Sequence, residues 1–221
     1  MNATSEIAGP AIVQADMTIL LEVDHEMYAE ARDALATFSE LVKSPEHIHT
    51  YRITPLSLWN AAASGHTPEG VVEALTKFSR YDVPELVISE TMEYMGRYGR
   101  LVLEKVDEQF VITSKDVELL GMIAAHKTVS KWFLEMPNEN TLPLVEGARG
   151  YVKQAMVKLG FPLEDIAGYT PGAPLDINMR EISLSGKPFG LRDYQKEACE
   201  IFYAGGGPRG GSGTIVLPCG A

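Results

Sequence analysis

Apolar positions along this chain alternate between a period of two and a period near 3.6, and those switches mark its units. Ala11-Ile12-Val13-Gln14 and Thr18 to Val23 alternate or run apolar and predict two strands, broken at Ala15-Asp16. Residues 1–10, ending in Gly9-Pro10, read as a disordered leader. Asp24 reads as an N-cap for a helix in which Met27, Ala31, Ala34, Leu35 and Phe38 recur at helical spacing. Lys43-Ser44-Pro45 breaks that helix, and His47 to Ile53 alternates as a further strand.

The pattern is most regular from Thr54 to Thr113. Thr54-Pro55 and Thr67-Pro68 each place a hydroxyl N-cap before a proline at the first helical position, where its missing N–H costs nothing. Leu56, Leu58 and Trp59 give the first of these helices an apolar face. Val71, Val72, Leu75 and Phe78 do the same for the second. A third helix starts near Val83-Pro84 and carries Leu86, Ile88, Met92 and Met95 as far as Gly99. Leu101-Val102-Leu103 and Phe110-Val111-Ile112 then predict a hairpin turning at Asp107-Glu108. Three short helices followed by a hairpin is the order of a winged-helix unit.

Beyond Ser114-Lys115-Asp116 a helix carries Val117, Leu120, Ile123 and Val129, reaching towards Trp132, and Pro137 to Asn140 reads as a linker. Thr141 to Val145 predicts a strand. Gly147 to Leu159 predicts a helix with Tyr151, Val152, Ala155, Met156 and Leu159 on its apolar face, closed by Gly160. Gly168 to Pro174 is turn-rich, Asp176 to Leu184 alternates as a strand, and Gly186-Lys187-Pro188 leads into the last segment. The expected class is α+β: a leader at 1–10, an α/β domain with a winged-helix-like unit at 11–136, a small α/β domain at 141–185 and a final segment at 186–221.

Charge changes this picture. The 221 residues carry a net charge of −11, and 45% are hydrophobic, enough for a sizeable core. Residues 1–140 hold 22 Asp/Glu against 11 Lys/Arg, whereas residues 141–221 hold 8 of each. Phosphate contacts supply most non-specific nucleic-acid affinity, so the acidic first part suits a protein partner better than a duplex. The would-be recognition helix repeats the point, with Glu85, Glu90 and Glu93 against Arg97 and, just beyond, Arg100. No apolar run approaches the length of a membrane span, no secretory leader is evident, and Cys199 and Cys219 form no metal spacing. A soluble protein of the reducing cytoplasm is expected.

Candidate chemistry lies at the end of the chain. Phe189-Gly190-Leu191-Arg192-Asp193-Tyr194-Gln195-Lys196-Glu197-Ala198 opens a helix, a glycine-rich stretch follows from Gly205 to Gly213, and Thr214-Ile215-Val216-Leu217 leads into Pro218-Cys219-Gly220-Ala221. A phosphate-binding loop needs a buried strand, a glycine turn, and then Gly-Lys-Ser/Thr opening a helix. The strand and the start of the turn are in this sequence; the lysine, hydroxyl residue and helix are not. A glutamine side chain offers both a donor and an acceptor, so Gln195 can pair with the Hoogsteen edge of adenine.

These residues, with Ser44-Pro45-Glu46-His47-Ile48-His49-Thr50-Tyr51-Arg52 and Pro55-Leu56-Ser57-Leu58-Trp59-Asn60, resemble the N-terminal portion of XPB-type superfamily 2 DNA repair helicases in their bacterial version. The resemblance spans residues 11–221. It implies an ATP-driven 3′-to-5′ DNA translocase as the parent, using ATP and Mg²⁺. Within this chain it implies nucleotide-site roles for Arg192, Gln195, Leu217, Pro218, Cys219, Gly220 and Ala221. Residues 186–221 would begin a RecA-like motor domain, 141–185 would form a damage-recognition-like domain, and the N-terminal domain would dock a protein partner such as a repair nuclease or regulator. Without the P-loop lysine and a Mg²⁺-binding acidic motif, these residues are expected to hold no nucleotide tightly and to hydrolyse none.

The remaining candidates are weaker. Arg149 and Lys153, one helical turn apart beside an apolar stripe, could meet a DNA phosphate or simply form a solvated rim. His47 and His49 share one strand face without an evident third ligand, which favours hydrogen bonding over metal. No set of paired acids or of nucleophile and base stands out. The alternative to a helicase front is a stand-alone acidic protein-interaction module.

Overall fold

The computed structural model describes residues 9–168, 172–207, 210 and 215. The residues 1–8 of the expected leader and Leu217 to Ala221 of the expected nucleotide loop lie outside them.

Among the described residues the chain forms two four-stranded sheets, each with its own buried cluster and its own helices. The first sheet has the order β1-β2-β4-β3, built from β1 (Ala11–Val13), β2 (Thr18–Glu22), β3 (Glu40–Lys43) and β4 (Ile48–Arg52), all antiparallel. Alternation sends Ile19 and Leu21 of β2 inward, both fully buried. They meet α1 (Tyr28–Leu35), α2 (Pro55–Ala63), α3 (Pro68–Phe78) and α4 (Glu85–Arg97) through Leu35, Leu58, Leu75, Val87 and Met95.

The leader is anchored at its last two residues. Gly9 and Pro10 are buried, and Pro10 accepts a hydrogen bond from Glu22 N–H. A Cβ on Gly9 would sit 2.1 Å from the Phe78 carbonyl oxygen, so the close approach of β1 to the end of α3 requires glycine. Arg80 closes the seam, donating to Gly9 O and pairing with Glu22.

Two expectations for this region change. Asp24 does not cap α1: the N-cap is Met27 without a side-chain bond, while the Asp24 carboxylate pairs with His47 Nδ1 at 3.0 Å. The helix ends at Leu35, so the residues before Lys43-Ser44-Pro45 are the edge strand β3, which exposes all four of its side chains. Its Leu41 and Val42 carry no alternation, which is why the strand was not legible. The two proline-led helices start as expected, with Thr54 and Thr67 side chains accepting from Ser57 and Gly70 N–H. Buried Ser57 completes a box, accepting from Thr54 N–H and donating to Phe38 O at 2.8 Å.

The second sheet has the order β7-β6-β5-β8, from β5 (Val102–Val106), β6 (Gln109–Thr113), β7 (Thr141–Pro143) and β8 (Glu164–Asp165), with β8 parallel to β5. The β5–β6 turn puts Asp107 and Glu108 at φ of 46° and 68°, the two positive angles of a tight hairpin loop. Leu103 and Ile112 face α5 (Val117–Ala125) and α6 (Arg149–Leu159) in a cluster completed by Leu120, Ile123, Leu142, Val152 and Met156. The hairpin that would be the wing of a winged-helix unit therefore packs apart from the three helices before it. The two clusters divide around Tyr98 to Arg100, ahead of the linker expected at Pro137 to Asn140. That stretch is instead tied in, with Asn140 O accepting from Ser114 N–H and Asn138 bridged to Thr141.

The expected strand at Asp176 to Leu184 does not form; within it a single bridge pairs Ile182 with Pro188. Leu175, Ile177 and Leu184 are 78, 77 and 93% exposed. Alternation is necessary for a half-buried strand, but it needs a sheet edge to join.

Trp59 locks the helical layer. Its ring is buried edge-on to Tyr94, and its Nε1–H donates to the Tyr94 carbonyl at 2.9 Å, one of the last carbonyls of α4 that the helix itself leaves unpaired. Trp59→Phe preserves the aromatic packing and strands that carbonyl. The expected loss is about 1 kcal/mol, read from the urea midpoint at unchanged slope.

Candidate functional site

The last described helix, α7 (Asp193–Tyr203), carries the residues expected beside adenine. Gln195 sits in its first turn. The Gln195 side-chain Oε1 accepts from Arg192 N–H at 3.0 Å, while Arg192 O accepts from Gln195 and Lys196 N–H. The glutamine thus caps its own helix, and a base using both its donor and its acceptor would displace that bond. Arg192 lies at the N-cap position beside it. Neither residue is buried, and α7 has no buried residue along its length. Leu217, Pro218, Cys219, Gly220 and Ala221 fall outside the described residues, so no distance joins the two halves of the expected nucleotide site.

The chain can be compared with what ATP and Mg²⁺ require. Gln195 and Arg192 present amide and guanidinium groups suited to a base and its surroundings. A triphosphate needs a cation at its β and γ oxygens, and Mg²⁺ needs an acidic or hydroxyl ligand. The sequence supplies no Gly-Lys-Ser/Thr, and no group of three or more His, Cys, Asp or Glu among the described residues could hold a metal. Among the described residues only Arg192 and Gln195 of the expected site can be placed, and no chemical step follows from them.

The expected DNA contacts have a different setting. Arg149 opens α6, and its guanidinium holds Asp165 of β8 through two bonds, Nε to Oδ2 at 3.1 Å and Nη2 to Oδ1 at 2.8 Å. Lys153, one turn on, reaches Asp165 Oδ2 at 2.7 Å. Arg149 also donates to Gly168 O at 2.6 Å and lies over the Phe110 ring. The Asp165 side chain is 10% exposed, Arg149 21% and Lys153 44%. A carboxylate so withdrawn from water needs this neutralisation, and the two cations fix α6 against the parallel strand β8. Lys153 keeps the more open face. Asp165 carries no sequence signature, since a Glu-Asp pair in a loop-like stretch shows nothing of what it will meet.

The remaining candidates resolve into local bonds. His49 Nδ1 lies 3.0 Å from the Tyr28 hydroxyl and His47 pairs with Asp24, so the two imidazoles have separate partners. At the foot of the hairpin a cavity of about 480 Å³ is lined by Arg100, Lys115, Asp116 and Asn140 among others. Asp116 caps α5, accepting from Leu119 N–H at 2.9 Å and pairing with Arg100. These two contacts, the backbone bond first, hold its carboxyl below the usual range.

Tyr151 departs from expectation. Placed by pattern on the apolar face of α6, it is 64% exposed, and its ring stacks on Trp132 at 6.0 Å between centroids and 14° between planes. Trp132 lies in a 3-10 turn (Ser130–Trp132) rather than at the end of α5.

The amino-acid sequence is similar to DNA helicases. Residues 11–136 match the family model described as a helicase conserved C-terminal domain. The chain is 45% identical over 214 residues to a DNA 3′-5′ helicase XPB of Mycobacterium tuberculosis, and 44% identical over 214 residues to that of Kineococcus radiotolerans. Each alignment covers 96% of this chain and 37% of the relative. It is 30% identical to the general transcription and DNA repair factor IIH helicase/translocase subunit XPB of Enterocytozoon bieneusi, over 96% of this chain and 34% of that relative. The chain belongs to the XPB-type superfamily 2 DNA helicases and spans just over a third of the length of these relatives. No helix among the described residues is long and apolar enough to cross a membrane.

Two outcomes follow from the ion contacts. Asp165→Asn keeps the shape but leaves two cations without their counter-charge; the expected loss is about 2 kcal/mol in urea unfolding, with β8 and the first turn of α6 gaining amide exchange. Asp116 has a folded pKa below its unfolded value of 3.8, so its contribution is complete above that pH and is lost as pH falls through the folded value. Asp116→Asn retains the cap without the titration, and its thermal midpoint is expected to fall less steeply than that of the parent chain below about pH 4.

Proposed function

We propose that this chain is the N-terminal regulatory region of an ATP-dependent 3′-to-5′ DNA helicase, engaging a protein partner and DNA while hydrolysing no ATP by itself. The observation that carries the reading is α7. It bears Gln195 and an apolar set, Ile201 and Phe202 with Leu191 just ahead, yet buries none of them. A helix with this composition and no core of its own suits the entrance of a RecA-like motor domain whose sheet would cover it. On this reading residues 186–221 begin that domain, 141–185 form a damage-recognition-like unit, and Arg192, Gln195 and Leu217 to Ala221 contribute to the nucleotide site of a parent that binds ATP and Mg²⁺.

The roles divide by charge. Residues 11–136 carry most of the acidic excess and dock a protein, a repair nuclease or regulator, in the cytoplasm. The DNA side falls to α6, where the exposed face of Lys153 can turn to a phosphate. A stand-alone interaction module would give the acidic surface the same role and leave α7 without one.

The test is enzymatic. The 221-residue chain, freed of contaminants, is expected to show ATP turnover at background with or without forked DNA. The same chain joined to its genomic continuation is expected to hydrolyse ATP with stimulation by DNA. Turnover by the shorter chain would overturn its assigned inactivity, and codons after Ala221 that do not encode Gly-Lys-Ser/Thr would end the motor reading.

A further inference from the structure

Lys131, Trp132 and Tyr151 form a short column of cation and ring contacts. The Lys131 ammonium lies 4.6 Å from the Trp132 ring centroid, and Tyr151 stacks in near-parallel fashion on the same indole. The column is held from behind. Trp132 N–H donates to Val129 O, with Val129 fully buried, and Trp132 O accepts from Val145 N–H at 2.8 Å, just beyond β7. Tyr151 projects from α6, whose next residue, Val152, is fully buried in the second cluster and whose first turn is tied to Asp165. Both rings are therefore positioned by the fold before any ligand arrives. Tyr151 nevertheless leaves 64% of its surface in water.

The Tyr151 ring is left largely in water, with a cation over the neighbouring indole. We propose that Tyr151 and Trp132 form a stacking platform for an unpaired nucleobase of single-stranded DNA, with Lys131 near its backbone. This deepens the DNA-engaging part of the function proposed above and rests on it. The platform is distinct from the Arg149–Asp165–Lys153 cluster, since Tyr151 is two residues from each cation on a helix and so points to another side. Any planar base can continue the column, so recognition depends on an unpaired base being available, not on its identity. One lysine releases about one counterion, so the affinity contributed here is weakly salt-dependent, with a log–log slope of about −0.7.

The experiment uses the 221-residue chain carrying Trp59→Phe, which leaves Trp132 as the tryptophan reporter. A short oligothymidylate is titrated at low salt and the indole emission followed, with circular dichroism checking the fold of each variant. Expected are quenching on binding, about tenfold weaker affinity in Tyr151→Ala, and near-parental affinity in Tyr151→Phe, which keeps the ring and drops the hydroxyl. An abasic strand of the same length is expected to bind the parent chain as weakly as oligothymidylate binds Tyr151→Ala. Unchanged affinity in Tyr151→Ala, or an abasic strand bound as tightly as oligothymidylate, would overturn the platform while leaving DNA contact through α6 intact. Thymidine monophosphate binding as tightly as the strand would replace the single-strand assignment with a free-nucleotide site. No strand affinity at low salt would remove both the platform and the DNA half of the functional reading.

Discussion

The second half of this molecule depends on neutralising one carboxylate. Asp165 is almost entirely withdrawn from water on a two-residue strand, and a lone charge there would cost far more than so short a strand can supply. Arg149 and Lys153 answer it from successive turns of α6, and in doing so set how that helix lies across β8 and β5. The helix orientation in turn decides which residues face Leu103 and Ile112 and which face outward. Tyr151 is exposed because Val152 is buried, and Val152 is buried in a helix whose first turn is held by Asp165.

That constraint also explains why α6 offers DNA less charge than its sequence suggests. Two cations at helical spacing look like a phosphate clamp until their counter-ion is seen. With Asp165 between them much of that charge is answered, and Arg149 is further engaged by Gly168 O and the Phe110 ring. In a chain with net charge −11, long-range attraction for a polyanion is weak. Whatever this region contributes to holding DNA must come from short-range contact, and stacking is the short-range contact least affected by the sign of the surrounding field.

Much of the fold was legible where local chemistry decides structure by itself. Thr54-Pro55 and Thr67-Pro68 state a helix start in two residues, and both structures follow. The Asp107-Glu108 turn and its flanking strands are equally local. Legibility failed where a partner distant in sequence decides. Asp24 looked like a cap and became the partner of His47, 23 residues away. Glu40 to Lys43 had no alternation because an exposed edge strand needs none, and Asp176 to Leu184 alternated without a sheet to join. Motif order draws attention to Arg192 and Gln195, yet it says nothing of Gln195 as the cap of α7. Pattern alone places Tyr151 inward, beside Val152, whereas the fold leaves it exposed.

The exposed apolar residues of 172–206 bear on the same point from the other side. Leu175, Ile177, Met179, Ile182 and Leu184 are spread along an extended stretch, and Ile201, Phe202 and Tyr203 stand on a helix with no buried face. A stable fold does not gain by leaving this many large side chains in water, because each forgoes roughly 1.5–3 kcal/mol of burial. Each cluster in the described residues has its own sheet and helices, and this segment belongs to neither. These exposed apolar residues run through the end of 141–185 and on into α7.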